Sequence, residues 1–243
     1  MEAKVKPDMQ SPKGKKEQVE QMFDSISGNY DFLNRFLSLG IDQRWRKYTV
    51  KKVAAHNPKL VLDVATGTAD LAIAAYNKTK PDKVIGIDLS EGMLQKGRIK
   101  IQKLGLTEVI SLEKGDSENL PFQDNTYDAV TVGFGVRNFE NLEKGLDEIF
   151  RVLKPGGMLA VLEFSKPTVF PIKQVYTFYF KWILPTWGKL VSGSQTAYTY
   201  LPASVDAFPD GKRFTDILEK TGFHTTVQSK LSFGICSLYT AIK

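Results

Sequence analysis

An α/β fold, with a mostly parallel sheet covered by helices on both faces, is predicted by three features of this 243-residue chain. Short β-branched runs alternate with helix-period segments across residues 60–164. A turn of small residues follows the first of those runs. Carboxylates stand at or just beyond the ends of three successive runs, at Asp63, Asp88 and Asp116. Alternation of this kind builds βαβ units whose parallel strands are buried on both sides.

The elements follow in chain order. From Glu17 to Ala55 the pattern is helical: Val19, Met22, Phe23 and Ile26 recur at i, i+3, i+4 and i+7, and Gly28 and Gly40 punctuate the run. Leu60–Ala65, Val84–Leu89, Val109–Leu112, Tyr127–Phe134 and Met158–Phe164 read as strands. Ala69–Asn77, Gly92–Leu104 and Leu142–Leu153 read as the helices between them. Lys154-Pro155-Gly156-Gly157 stops the last helix and turns the chain into the next strand. Residues 166–210, rich in proline and aromatics, interrupt the alternation. The chain closes with a helix near Lys212–Lys220 and two strands, Phe223–Lys230 and Ser237–Ile242, whose short connection predicts an antiparallel pair. The expected organisation is a disordered basic tail (1–16), a helical cap (17–56) and one α/β domain (57–243) with an aromatic insertion (166–210).

Composition narrows the function classes. A hydrophobic content of 42% is too high for a disordered chain, and no run reaches the ~18 apolar residues of a spanning helix. The formal charge of +6 invites a nucleic-acid partner, yet residues 1–16 hold five lysines against Glu2 and Asp8, a net of +3. Half of the excess thus sits in the expected tail, and no nucleic-acid partner is predicted. One cysteine and two histidines offer no disulfide and no metal-ligand spacing, so no metal site is expected. The first residues are polar and lack arginine, unlike a secretory signal or a mitochondrial presequence, so a cytoplasmic location is expected.

The turn Asp63-Val64-Ala65-Thr66-Gly67-Thr68-Ala69-Asp70 lies where open α/β sheets bind ligands, at a strand's carboxyl end. Small residues at 65, 67 and 69 admit a ligand close to the backbone. The turn has neither G-x-G-x-x-G nor Gly-Lys-Ser/Thr, so pyrophosphate and phosphate loops are excluded. A carboxylate at Asp63 would repel phosphates and suits a ligand with a cationic ammonium and sulfonium, S-adenosylmethionine. Asp88, at the next strand end, suits the two hydroxyls of a ribose. Asp116-Ser117 suits an adenine amino group and ring nitrogen. Asp and Ser also favour caps and turns, but three carboxylates at successive strand ends point to a ligand.

Val61–Leu71, Gly86–Leu94 and Gly115–Phe122 resemble the cofactor motifs of class I S-adenosylmethionine-dependent methyltransferases. Other segments narrow the likeness: Asn29-Tyr30-Asp31-Phe32-Leu33-Asn34, Gly133-Phe134-Gly135-Val136-Arg137-Asn138, Arg151–Lys166, Tyr198-Thr199-Tyr200-Leu201-Pro202-Ala203-Ser204 and Phe208-Pro209. With these the chain resembles the ubiquinone/menaquinone biosynthesis C-methyltransferases over about residues 17–243. The resemblance implies a Rossmann-like fold with a mostly parallel seven-stranded sheet and an antiparallel last strand. It carries cofactor contacts onto Thr68, Asp88, Asp116 and Ser117, beside Asp63 and Gly67 of the turn. Ala69 replaces the usual loop glycine, and Gly133 stands where some members have a cofactor-touching serine, a contact not carried over.

The implied chemistry is methyl transfer to a ring carbon of a lipophilic prenylated quinol, demethylmenaquinol foremost, with the ubiquinone precursor 2-polyprenyl-6-methoxy-1,4-benzoquinol as the alternative. Arg137 and Asn138, just past the fourth strand, are the expected acceptor-side residues, with Arg137 stabilising a phenolate. Tyr30 and Asp31 are expected to close the site from the N-terminal helices. A nucleic-acid methyltransferase fits poorly: no Asn/Asp-Pro-Pro-Tyr signature follows the fourth strand, and Cys236 lies too late in the chain for a C5 nucleophile. The retained acceptor-side motif argues against an inactive cofactor-binding subunit.

Pro171–Leu184 reads as a helix with Pro171 in its first turn. Lys173, Gln174, Thr177 and Lys181 fall within an arc of about 100°, leaving a broad aromatic face. Such a face suits core burial, a homodimer interface, an isoprenoid tail, or peripheral contact with the inner face of the plasma membrane.

Overall fold

The computed structural model describes residues 5–28, 30–38, 40–179, 182 and 195–243. Its strands are β1 (Leu60–Val64), β2 (Lys83–Asp88), β3 (Ile110–Lys114), β4 (Tyr127–Gly133), β5 (Leu153–Phe164), β6 (His224–Leu231) and β7 (Cys236–Ile242). Its helices are α1 (Lys15–Ile26), α2 (Tyr30–Leu37), α3 (Ile41–Ala54), α4 (Asp70–Thr79), α5 (Glu91–Lys103), α6 (Leu142–Val152), α7 (Ile172–Phe178), α8 (Gln195–Ala207) and α9 (Lys212–Thr221).

The strands form one sheet in the order β3-β2-β1-β4-β5-β7-β6. β1 to β5 pair in parallel, and β7 enters antiparallel between β5 and β6. Alternate strand residues feed two separate cores, as parallel strands buried on both faces must. Val61 and Ala129 pack with Trp45, Ala72 and Leu94 of α3, α4 and α5. Leu62 and Val130 pack with Leu146, Ile149, Phe214 and Leu218 of α6 and α9. Helix starts are fixed locally: Ser90 Oγ accepts from Met93 N at 3.1 Å, and Asn141 Oδ1 accepts from Lys144 N at 3.1 Å.

Three segments differ from expectation. β5 starts at Leu153 rather than Met158. Pairing passes from Tyr127↔Leu153 to Ala129↔Met158, so Lys154–Gly157 forms a bulge within the strand, with Gly156 at φ +78°. Residues 195–207, within the proline- and aromatic-rich segment expected to interrupt the alternation, form α8 with Pro202 inside it. Proline removes its own backbone donor and crowds the carbonyl one turn back, and burial of Tyr200, Ser204 and Val205 against the body of the protein offsets that cost.

The third difference is the N-terminus. The expected tail boundary at residue 16 falls inside α1, and residues 5–14 pack against it. Asp8 N donates to Gln18 Oε1 at 2.7 Å, and Gln18 Nε2 donates to Lys13 O at 2.8 Å. Of the helix expected over 171–184, α7 covers 172–178; residues 180, 181, 183 and 184 lie outside the described residues.

Strand order reverses between β1 and β4, which places a crevice at the carboxyl ends of the sheet. The packing of β2 beneath the turn depends on Gly86. A Cβ there would lie 2.6 Å from Leu112 Cδ2 and 2.8 Å from Thr66 Oγ1. Gly86→Ala is therefore expected to lower stability by about 1–3 kcal/mol, read as a reduced urea midpoint with an unchanged slope.

Candidate active site

The turn after β1 is built on Asp63, and its role differs from the expected one. Asp63 is 1% exposed and does not border the crevice. Its carboxylate accepts from Thr66 Oγ1 at 2.6 Å and from Thr131 Oγ1 of β4 at 2.5 Å. It therefore anchors the turn to the sheet instead of facing a cation. Burial pushes its pKa up to about 6, opposed by the two threonine hydroxyls. With Thr66 held, the turn adopts left-handed backbone at Ala65, Gly67 and Ala69. This brings Gly67 N to 2.8 Å from Asp88 Oδ2.

A crevice opens above the turn, bordered by Gly67, Asp88, Asp116, Ser117 and Asn138. Asp88 is held rigidly, because Ser90 N donates to its other oxygen at 2.9 Å. With backbone donors at Gly67, Ser90 and Leu89, the carboxylate still keeps lone-pair capacity for a hydroxyl. Burial pushes the Asp88 pKa upward while these backbone donors pull it down. Asp116 is not free as expected: Lys16 Nζ lies 2.7 Å from its Oδ2 and 3.4 Å from Glu118. Lys16 was expected in the tail, and its contact is possible because α1 crosses the crevice. α1 is tied at both ends. Lys15 Nζ donates to Arg137 O and Phe139 O, each at 2.9 Å, and Asp24 Oδ1 accepts from Gly92 N at 2.9 Å.

Thr68 and Asp31, expected at the cofactor and acceptor, do not border the crevice. They bond to each other, and Lys100 Nζ joins them at 2.8 Å from Asp31 and 3.2 Å from Thr68 while reaching Asp70 at 2.5 Å. The group ties α2 to the turn and to α4 and α5. A contact between residues 37 positions apart has no local sequence signal.

A second cavity, about 350 Å³ and mostly apolar, adjoins the first and shares Phe23, Tyr30 and Phe134 with it. Tyr30 thus stands at the junction, its ring edge-on to Phe23 at 6.0 Å, and burial pushes its hydroxyl pKa up to about 12. Arg137 borders the second cavity; Asn138 borders only the first, where its buried Oδ1 has no hydrogen-bond partner. Asn138, expected on the acceptor side, thus faces the polar crevice and not the apolar cavity.

Arg137 is held from every side. Nη1 donates to Glu163 Oε1 at 2.9 Å and to Phe134 O, Nε donates to Ser204 Oγ at 3.2 Å, and the guanidinium lies 5.7 Å from the Phe164 ring centre. Its backbone N donates to the other oxygen of Glu163 at 3.3 Å. Glu163 is fully buried, with its pKa raised by burial and lowered by Arg137. Sequence reasoning missed Glu163, although a lone carboxylate inside the apolar run Leu159-Ala160-Val161-Leu162-Glu163-Phe164 is a legible signal.

Comparison with known proteins fits this pair of cavities. The profile of the ubiE/COQ5 methyltransferase family matches residues 10–243. The chain belongs to that family. It is 50% identical over 241 residues to the demethylmenaquinone methyltransferase of Bacteroides fragilis, covering 99% of this chain and 98% of that one. It is 43% identical to the ubiquinone/menaquinone biosynthesis C-methyltransferase of Geobacter sulfurreducens, covering 94% and 90%. The fold matches a SAM-dependent methyltransferase from Aquifex aeolicus with a TM-score of 0.57 at 22% identity, over 79% of this chain and 88% of that one. For this family member, the carboxylate closing β1 holds the binding turn in place.

The raised pKa of Asp63 makes a signed prediction. Its folded value, about 6, lies above the ordinary 3.8, so the folded state holds the proton more tightly. The stability it contributes is present below about pH 4 and is lost as pH rises through 6. Asp63→Asn removes this titration. The stability of the variant relative to wild type should therefore improve from pH 4.5 to pH 7.5, on the order of 2 kcal/mol by urea unfolding at each pH.

Proposed function

We propose that the protein transfers the methyl group of S-adenosylmethionine to a ring carbon of a prenylated quinol, converting demethylmenaquinol to menaquinol. The observation that carries this reading is the large apolar cavity with a single fixed arginine, Arg137, opening beside a polar crevice. The names of the closely similar relatives support the choice of quinol.

The crevice suits S-adenosylmethionine. Asp88 offers two fixed acceptors for a ribose diol, Ser117 and Asn138 offer polar atoms, and the partnerless Oδ1 of Asn138 is an acceptor awaiting a donor. When bound, this cofactor supplies an electrophilic methyl on a sulfonium. Phe23, Tyr30 and Phe134, shared by both cavities, form the wall across which donor and acceptor meet and exclude water from it.

Arg137 acts on the acceptor oxygen. Glu163, Ser204 and Phe134 O fix the plane of its guanidinium, so it stabilises a phenolate without reorganising. A phenolate makes the adjacent ring carbon nucleophilic. Wild-type protein with methyl-labelled cofactor and reduced lipid extract from quinone-methylation-deficient cells should place label in menaquinol. The Arg137→Ala/Glu163→Gln double variant, which leaves no unpaired buried charge, should reduce turnover by at least about 100-fold with cofactor affinity nearly unchanged. Label in no quinol, or full turnover by the variant, would overturn these assignments.

The acceptor's tail suggests how the protein meets its substrate. Among the described residues no helix is long and apolar enough to cross a membrane. Yet Val169, Phe170, Val175, Phe178 and Trp182 are all more than half exposed, and Val175 also borders the apolar cavity. This patch, with the exposed Lys173 beside it, is suited to rest on a bilayer so that a lipid-dissolved quinol enters directly. In flotation with anionic liposomes, wild-type protein should rise with the lipid, and the Phe178→Ser/Trp182→Ser double variant should remain largely in the soluble fraction. Equal recovery of both in the soluble fraction would count against membrane contact.

A further inference from the structure

The acceptor cavity contains a second polar group with no assigned role. Tyr200, on α8, is 3% exposed and borders the cavity. Its ring packs with Val19, Met22 and Ala197, while its hydroxyl is buried and makes no hydrogen bond. In an otherwise apolar cluster a phenylalanine would pack equally well without leaving a polar group unsatisfied. The hydroxyl therefore calls for a partner that enters the cavity.

Its surroundings indicate which partner. Ser204, one helical turn beyond Tyr200 on the same face of α8, accepts the hydrogen bond from Arg137 Nε at 3.2 Å. The face of α8 that carries Tyr200 thus faces Arg137, and both residues border one cavity. Burial pushes the Tyr200 pKa up to about 12, with Arg137 opposing and Glu163 reinforcing that rise. Near neutral pH the group is a neutral O–H donor, and it keeps its proton.

We propose that Tyr200 donates a hydrogen bond to a ring oxygen of the acceptor, forming with Arg137 a two-donor clamp on the phenolic edge of the substrate. The inference rests on the quinol reading above and extends it to the geometry of recognition. Arg137 supplies the charge, and Tyr200 supplies the direction. A hydrogen bond to an anionic oxygen is about twice as strong as a neutral one, so the clamp tightens when the substrate oxygen ionises. The same pairing selects against ring acceptors lacking an oxygen at that edge, because the tyrosine hydroxyl would stay unsatisfied.

The test is Tyr200→Phe in the full chain, which removes one oxygen and no packing volume. The variant should melt at the wild-type temperature or above it and bind S-adenosylmethionine within about twofold of wild type. It should lose roughly 10- to 100-fold in kcat/KM for the reduced quinol. A variant within twofold of wild type in kcat/KM would make Tyr200 a packing residue and overturn the inference. So would an activity loss that merely tracks a lowered melting temperature. Wild-type turnover of the quinol separates the two levels: an active wild type with an equally active variant removes only the clamp, whereas an inactive wild type removes the quinol reading and the clamp with it.

Discussion

The buried pair between Arg137 and Glu163 is the interaction on which the rest of the site depends. Glu163 comes from β5 and lies fully out of water, and both of its oxygens are bound by Arg137, one through the side chain and one through the backbone. Removing one member of such a pair leaves an uncompensated charge in the interior, typically about 3–5 kcal/mol. Because Arg137 also bonds Ser204 of α8 and Phe134 O at the end of β4, and its carbonyl accepts from Lys15 of α1, one residue joins four elements. The chain's helical additions are thus fastened to the sheet at the border of the apolar cavity.

This arrangement divides the chemistry between two cavities with a common wall. The first is polar and formed by strand ends, where backbone N–H groups hold Asp88 and leave it acceptor capacity to spare. The second is apolar and formed largely by α1, α2, α3, α7 and α8. A ligand needing fixed polar contacts and one needing a greasy channel can then meet at Phe23, Tyr30 and Phe134 without either environment compromising the other. The sheet supplies precision, and the added helices supply the second environment.

The polar residues of the turn have a structural logic of their own. Asp63 and Thr68, both expected to touch ligand, instead hold the backbone that borders the crevice. Asp63 bonds Thr66 and Thr131, while Thr68 bonds Asp31 and Lys100. Three left-handed residues alternate along the turn, and two of them are alanines, conformations that cost about 1–2 kcal/mol each. Those anchoring bonds offset the strain, and the close approach of Gly67 N to Asp88 is the result.

Alternation of strands and helices, the position of the binding turn and the carboxylate at Asp88 were legible in the sequence, because each follows from local patterning: burial on both faces makes parallel strands apolar, and strand ends present their polar residues to the crevice. α8 was not legible, since Pro202 weighs against a helix locally and only burial of Tyr200 and Ser204 outweighs it. Nor was the place of Lys16, whose charge reads as a solvated tail until α1 carries it to Asp116. The sequence by itself determined which chemical groups stand at the strand ends. Which of them border the crevice and which hold the frame was settled only by the tertiary structure, because a carboxylate's role depends on whether its partners are other parts of the chain, as at Asp63, or leave acceptor capacity facing a cavity, as at Asp88.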